Sequence, residues 1–282
     1  EPKEMVVLDT CVVILSLPHS LPWSMQRSYL DSLAQVVIDE FDAKVFALTT
    51  GTPVLPECGL ELSDFLQDIL TLVDELPWKG NFFLVDNSFG AATSLVWPLQ
   101  SRLSGALVVN VAGLFSDEYL DSIAHQKLTE AAAKMAESRR GPERNVALIG
   151  DILFSITVAG DAEFAEEVRH EWRKAAEEAS EEFWKLSAAH CLWLPRARTE
   201  LLTGLDPLQL QATVACSTLG PAAVLTESTL NFHRLLPNAT FVHIHDSKAW
   251  WEVENPDLVI SELIALIRRV KLGLSIEMAA RI

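Results

Sequence analysis

Six short apolar runs punctuate the chain: Cys11–Leu15 (CVVIL), Lys44–Thr49 (KVFALT), Asn81–Val85 (NFFLV), Ala106–Val111 (ALVVNV), Gln211–Cys216 (QATVAC) and Ala239–His245 (ATFVHIH). Each is rich in β-branched or aromatic residues. Pro18 closes the first, and Gly51 with Pro53 closes the second. The apolar positions run on continuously instead of alternating with polar ones. A strand of that kind is covered on both faces, as in a parallel sheet. Met5–Leu8 offers one more strand at an edge. Between the runs, apolar residues recur every three or four positions over Tyr29–Phe41, Leu62–Leu76, Gly90–Leu103, Thr226–Leu236 and Pro256–Leu272, which predicts amphipathic helices. Strand and helix in alternation predict an α/β fold, a mostly parallel twisted sheet with helices on both faces.

The alternation stops over residues 116–203. Helical patterns follow one another there, over Glu118–Ser138, Pro142–Val158, Ala162–Lys185 and Ser187–Leu202. The pattern predicts a helical cap of residues 116–203 inserted into a core made of residues 1–115 and 204–282. Its mixed charges, among them Glu166, Glu167, Arg169, Glu171, Arg173 and Lys174, suit a solvated helix face. Its large apolar residues include Phe154, Trp172, Trp184 and Trp193. Most belong to a core, and the remainder suit an apolar or aromatic small molecule held between cap and sheet.

Composition narrows the function classes. The 282 residues carry 22 Lys+Arg against 39 Asp+Glu, a net charge of -17. A phosphate backbone or an anionic membrane surface calls for the opposite sign, so no nucleic-acid partner is expected. No stretch approaches the ~20 apolar residues of a membrane span, and the first residues lack the pattern of a signal peptide. The four cysteines, Cys11, Cys58, Cys191 and Cys216, are scattered without metal-ligand spacing, and Cys11 and Cys216 read as small buried hydrophobes. A reducing compartment such as the cytoplasm follows as the expectation. Neither a GxGxxG nor a Walker loop is present, so no cofactor is expected, and no metal. Assembly into a homo-oligomer stays open.

One segment carries candidate chemistry. Phe82-Phe83-Leu84-Val85-Asp86-Asn87-Ser88-Phe89-Gly90-Ala91-Ala92 reads as an apolar strand, a tight turn with serine at its apex, and a helix opened by small residues. A serine on such a bend stands above the sheet with a helix N-terminus beneath it. The bend needs small residues on both sides. Gly90, Ala91 and Ala92 meet that need on the helix side, whereas Asp86 does not on the strand side.

Here the sequence resembles the α/β-hydrolase family, whose G-x-S-x-G turn corresponds to Asp86-Asn87-Ser88-Phe89-Gly90. Val13-Ile14-Leu15-Ser16-Leu17-Pro18-His19-Ser20 resembles the family's oxyanion loop, with Leu15-Ser16 replacing its usual His-Gly. Thr50-Gly51-Thr52-Pro53 falls where the family has an Asp-x-x-Gly turn. The block from Leu235 through Pro256 resembles the family's approach to its last strand and last helix. The resemblance spans roughly Cys11 to Arg269. It implies Ser88 as nucleophile and the backbone N–H groups of Leu17 and Phe89 as the oxyanion hole. The family's histidine stands seven residues before the proline, which here is Ala249 before Pro256. Its acid, absent from Ala215–Gly220, is placed after the preceding strand, at Asp117 with Glu118 second; both also suit helix capping after Ser116. His243 and His245 are alternative bases, but their place on a strand points them into the sheet interior. Trp23, Trp184 and Trp250 are candidate walls for substrate.

The resemblance implies a serine hydrolase-like protein acting on an apolar ester, thioester or related carbonyl compound. With Ala249 in place of the base it is expected to be inactive as it stands, through natural loss or deliberate replacement. A non-catalytic binding protein or subunit of the same fold is the second reading. A cofactor-free lyase or oxygenase is the third, since one fold hosts many reactions.

Overall fold

A computed structural model describes residues 9–16, 23–49, 62–87, 99–111, 210–218, 222–247 and 254–273, with residues 126, 166, 170 and 174 besides. The elements are β1 (Cys11–Ser16), α1 (Trp23–Phe41), β2 (Lys44–Thr49), α2 (Leu62–Glu75), β3 (Phe82–Asn87), β4 (Leu103–Val109), β5 (Ala212–Ser217), α3 (Ala222–His233), β6 (Ala239–Ile244) and α4 (Pro256–Lys271). The strands form one sheet in the order β2-β1-β3-β4-β5-β6. Every neighbouring pair is parallel.

The continuous apolar runs are explained by cover on both sides. Val12, Ile14, Phe83, Val85, Leu107, Val109 and Ala215 pack against Leu33 and Val37 of α1 and Leu263 and Ile267 of α4. On the opposite face α3 lies over β5, where the Cys216 thiol meets the Thr226 hydroxyl at 3.3 Å. Each fully buried leucine or phenylalanine contributes about 1.5–3 kcal/mol relative to exposure. α4 is well specified locally: Pro256 occupies its first turn, Asp257 follows, and Arg268, Arg269 and Lys271 lie in its last turn, matching the helix dipole.

Several boundaries differ from those the pattern predicts. α1 starts at Trp23, six residues before Tyr29; its first turns carry Ser24, Gln26 and Arg27, which break the apolar period. α3 likewise begins at Ala222 and stops at His233. The helix expected over Gly90–Leu103 is, where described, a single 3-10 turn over Leu99–Arg102. Leu103 already belongs to β4, whose pairing slips so that Phe82 faces Leu103 and Phe83 faces Gly105. The bulge and the polar Ser104 conceal the start of the strand. Gly105 is required there, because a Cβ would lie 3.1 Å from the Phe83 ring and 3.2 Å from the Gln211 carbonyl oxygen. β4 ends at Val109, and Asn110 turns away with φ +49°.

His243 and His245 correct an expectation. Both are exposed, not interior. Among the described strands β6 is the last in the sheet, and the described helices at this end pack chiefly on β4 and β5. Position within the sheet, which the run of residues does not encode, decides their exposure. Glu166, His170 and Lys174 are helical and exposed.

Candidate functional site at the carboxyl edge of the sheet

The order of strands marks one place on this sheet. From β1 the chain moves outward to β2, and from β3 it moves the other way, to β4. Between the carboxyl ends of β1 and β3 the connections diverge. Open α/β sheets take their ligands in the crevice at such a switch point. β1 ends at Ser16, the residue before Leu17, and β3 ends at Asn87, the residue before Ser88. Asp86 lies within β3, in register with Val108, and is 2% exposed. Of the candidates, Trp23 opens α1. Leu17, Ser88, Phe89, Asp117, Trp184, Ala249 and Trp250 lie outside the described residues, as does Glu118.

The neighbouring strands end in a buried polar chain that the sequence did not reveal. The Asn110 amide donates from Nδ2 to the Ser217 hydroxyl at 2.9 Å, and the Ser217 backbone N–H donates to Asn110 Oδ1 at 2.8 Å. The Ser217 hydroxyl donates to that of Ser247 at 3.5 Å, and Ser247 donates to Glu254 Oε2 at 2.7 Å. The three side-chain donors, Asn110 Nδ2 and the Ser217 and Ser247 hydroxyls, all point toward the Glu254 carboxylate, an arrangement that strengthens their successive links. Asn110, Ser217 and Ser247 are almost fully buried. The two serine hydroxyls are therefore structural and not nucleophiles open to a substrate. Asn255 Nδ2 adds a bond of 3.3 Å to the carbonyl of His245. The two ends of the segment from β6 to α4, which includes position 249, are thus tied together twice. The only signal in the sequence was a polar residue closing each apolar run: Asn110 after β4 and Ser217 at the end of β5.

His243 and His245 lie far from the end of β3 at Asn87. Three strand spacings separate β6 from β3, about 14 Å at 4.7–4.9 Å each. Burial raises the thiol pKa values of the two described cysteines. Cys11 is pushed up to about 11, with Lys44 and Arg102 pulling it back slightly, and Cys216 is also raised. Both are free, buried thiols unsuited to nucleophilic work.

A cleft of about 540 Å³ opens at the opposite, amino end of the strands, lined by Asp9, Thr10, Trp78, Asn81, Phe83 and Lys271 among others. None of the candidate residues lines it. Among the described residues no group of three or more His, Cys, Asp or Glu is placed to hold a metal ion. No described helix is long and apolar enough to cross a membrane.

No protein-family model matches the chain, nor does any curated protein by sequence. Solved structures do. The chain is similar to a thermophilic esterase from Thermogutta terrifontis (TM-score 0.66, 18% identity, 93% of this chain and 90% of that one). It is similar to the enol-lactonase of Burkholderia xenovorans LB400 (TM-score 0.68, 16% identity, 92% of each chain) and to a bromoperoxidase from Bacillus anthracis (TM-score 0.68, 15% identity, 92% of each). This is the α/β-hydrolase fold. Within the α/β-hydrolase fold the three neighbours have names of different chemistry, so the fold alone does not select a reaction.

Proposed function

We propose that the chain is a serine hydrolase-like protein for an apolar ester, thioester or related carbonyl substrate. Ser88 is its nucleophile, and the N–H groups of Leu17 and Phe89 receive the developing oxyanion. Asp117 is the acid, and residue 249 occupies the place of the base. Residues 116–203 form the cap, and Trp23, Trp184 and Trp250 line the substrate's side of the site. The observation carrying this reading is topological: β1 and β3, which flank the switch point, end one residue before Leu17 and Ser88. An oxyanion donor and a nucleophile are needed side by side, and adjacent strands supply them.

Acyl transfer then requires a group to take the Ser88 proton as the hydroxyl attacks the carbonyl carbon. It must return that proton to the leaving group. Ala249 has no such group, so the chain as it stands is inactive or nearly so toward esters. The test compares hydrolysis of a short-chain p-nitrophenyl ester by the chain and by Ala249→His. A gain of at least about 10²-fold, the scale of general-base catalysis, is the expected result. An unchanged rate in a folded variant contradicts the assignment of the base position.

The buried Asp86 favours a second reading, a binding protein of the same fold with no reaction. A carboxylate in the turn's tight approach weakens the case for an active elbow. Binding of an apolar carbonyl compound that is unaffected by Ala249→His, with no turnover in either form, is the outcome that selects it.

A further inference from the structure

Two imidazoles stand side by side at the carboxyl end of β6, the last strand of the described sheet. His243 lies in β6, whereas His245 opens the turn that follows it, so the two flank Ile244 at the end of the strand. Their ring centroids are 6.2 Å apart and the planes are inclined by 38°. Both residues are exposed. Neither position is a free-swinging accident of the surface. The His243 ring is braced edge-on by Phe241 at 5.1 Å, and Phe241 is braced in turn by His233 at 5.3 Å. The backbone of His245 is fixed by the bond from Asn255 to its carbonyl and by the turn at Asp246, where φ is +57°.

We propose that His243 and His245 form a bidentate site for a divalent transition-metal cation of the copper, nickel and zinc type. Imidazole nitrogens favour these metals, whereas magnesium and calcium require oxygen ligands. The geometry is close to what chelation needs. With metal–nitrogen bonds of about 2.0–2.1 Å, two imidazoles in cis positions bring their centroids to about 4.5–5 Å. The observed pair, at 6.2 Å, has to close by about 1.2–1.7 Å, which side-chain rotation supplies at exposed positions. Both histidines are exposed, so water is available to fill the remaining coordination positions. A net charge of -17 raises the local concentration of cations around the whole molecule. The pair lies at the carboxyl end of β6, three strands from the switch point between β1 and β3, and the proposal does not depend on Ser88.

Copper(II) is the sharpest test, since it binds most tightly in the divalent series. The full chain is titrated with copper(II) by calorimetry, in the presence of glycine as a competing ligand. The same titration is run on His243→Gln, His245→Gln and His233→Gln, with circular dichroism confirming the fold. Each of the first two variants is expected to lose one bound equivalent, or to bind it at least about tenfold more weakly. His233→Gln is expected to keep it, because His233 braces Phe241 and is no ligand. Equal titrations of the chain, His243→Gln and His245→Gln overturn the site. Loss in only one of the two overturns the bidentate arrangement.

Discussion

Asn110 and Ser217, 107 residues apart in the chain, clasp each other across the carboxyl ends of β4 and β5 through two hydrogen bonds of 2.9 and 2.8 Å. The clasp sits where the chain leaves the sheet after β4 and where β5 ends, so it fastens the join between two distant parts of the sequence. Asparagine serves here for two reasons: its amide makes both bonds, and it tolerates φ +49° better than most residues.

Two variants at this position separate the reasons. Asn110→Gly removes the bonds but suits the backbone, while Asn110→Ala removes the bonds and adds strain. Urea unfolding is expected to show a loss of about 1–3 kcal/mol for glycine, from the buried partner left unsatisfied. Alanine is expected to lose about 1–2 kcal/mol more. Equal losses would remove the backbone part of the argument.

Gly105 tests the close approach of β3 and β4. Gly105→Ala places a methyl group against the Phe83 ring and the Gln211 backbone oxygen, and the backbone oxygen has little room to move. The expected cost is about 1–3 kcal/mol, read by thermal or urea unfolding, despite alanine's lower backbone entropy.

Arg269 ties the end of α4 to the amino ends of the strands, donating from Nη2 to the Ala212 carbonyl at 3.0 Å and from Nη1 to the Thr240 hydroxyl at 3.4 Å. Burial lowers its pKa, offset by Glu262, and that same burial raises the pKa of Glu262. Arg269→Met keeps much of the packing volume but leaves the Ala212 oxygen without this donor. A loss of about 1–3 kcal/mol in urea unfolding is expected. A neutral outcome would show that the apolar contacts of the side chain outweigh its bonds.

Cys11 gives the alkaline limb of stability. Its thiol is raised from an ordinary value of 9.0 to about 11 by burial. The unfolded chain therefore releases this proton first as pH rises. The stabilisation from the protonated thiol is complete below about pH 9 and is lost between there and about pH 11, on the order of 2 kcal/mol at most. Unfolding free energy measured from pH 8 to pH 10.5 is expected to fall more steeply for the chain than for Cys11→Ala. Parallel profiles would contradict the shift.

The parts of this fold that sequence reveals are those where local pattern and final environment agree. β1, β3 and β5 lie within the sheet and are covered on both faces, so their apolar runs are unbroken and easily found. β4 was found late in its length because a bulge placed Ser104 and Gly105 in its first residues. The exposure of His243 and His245 is not written in their run, because a strand's place in the sheet is a tertiary fact. The chain from Asn110 through Ser217 and Ser247 to Glu254 was missed for the same reason: its members are drawn together only when β4, β5 and β6 become neighbours. The end of β3 is legible because the polar pair Asp86-Asn87 closes its apolar run in consecutive residues.

The central claim concerns one hydroxyl, and covalent capture addresses it most directly. The chain, Ala249→His and Ala249→His with Ser88→Ala are incubated with a fluorophosphonate, and the site of addition is located by peptide mass spectrometry. Ala249→His is expected to gain a single phosphonyl group on Ser88, the chain to react slowly or not at all, and the double variant to remain unmodified. A folded Ala249→His that stays unmodified, or that carries the group on another residue, contradicts the account.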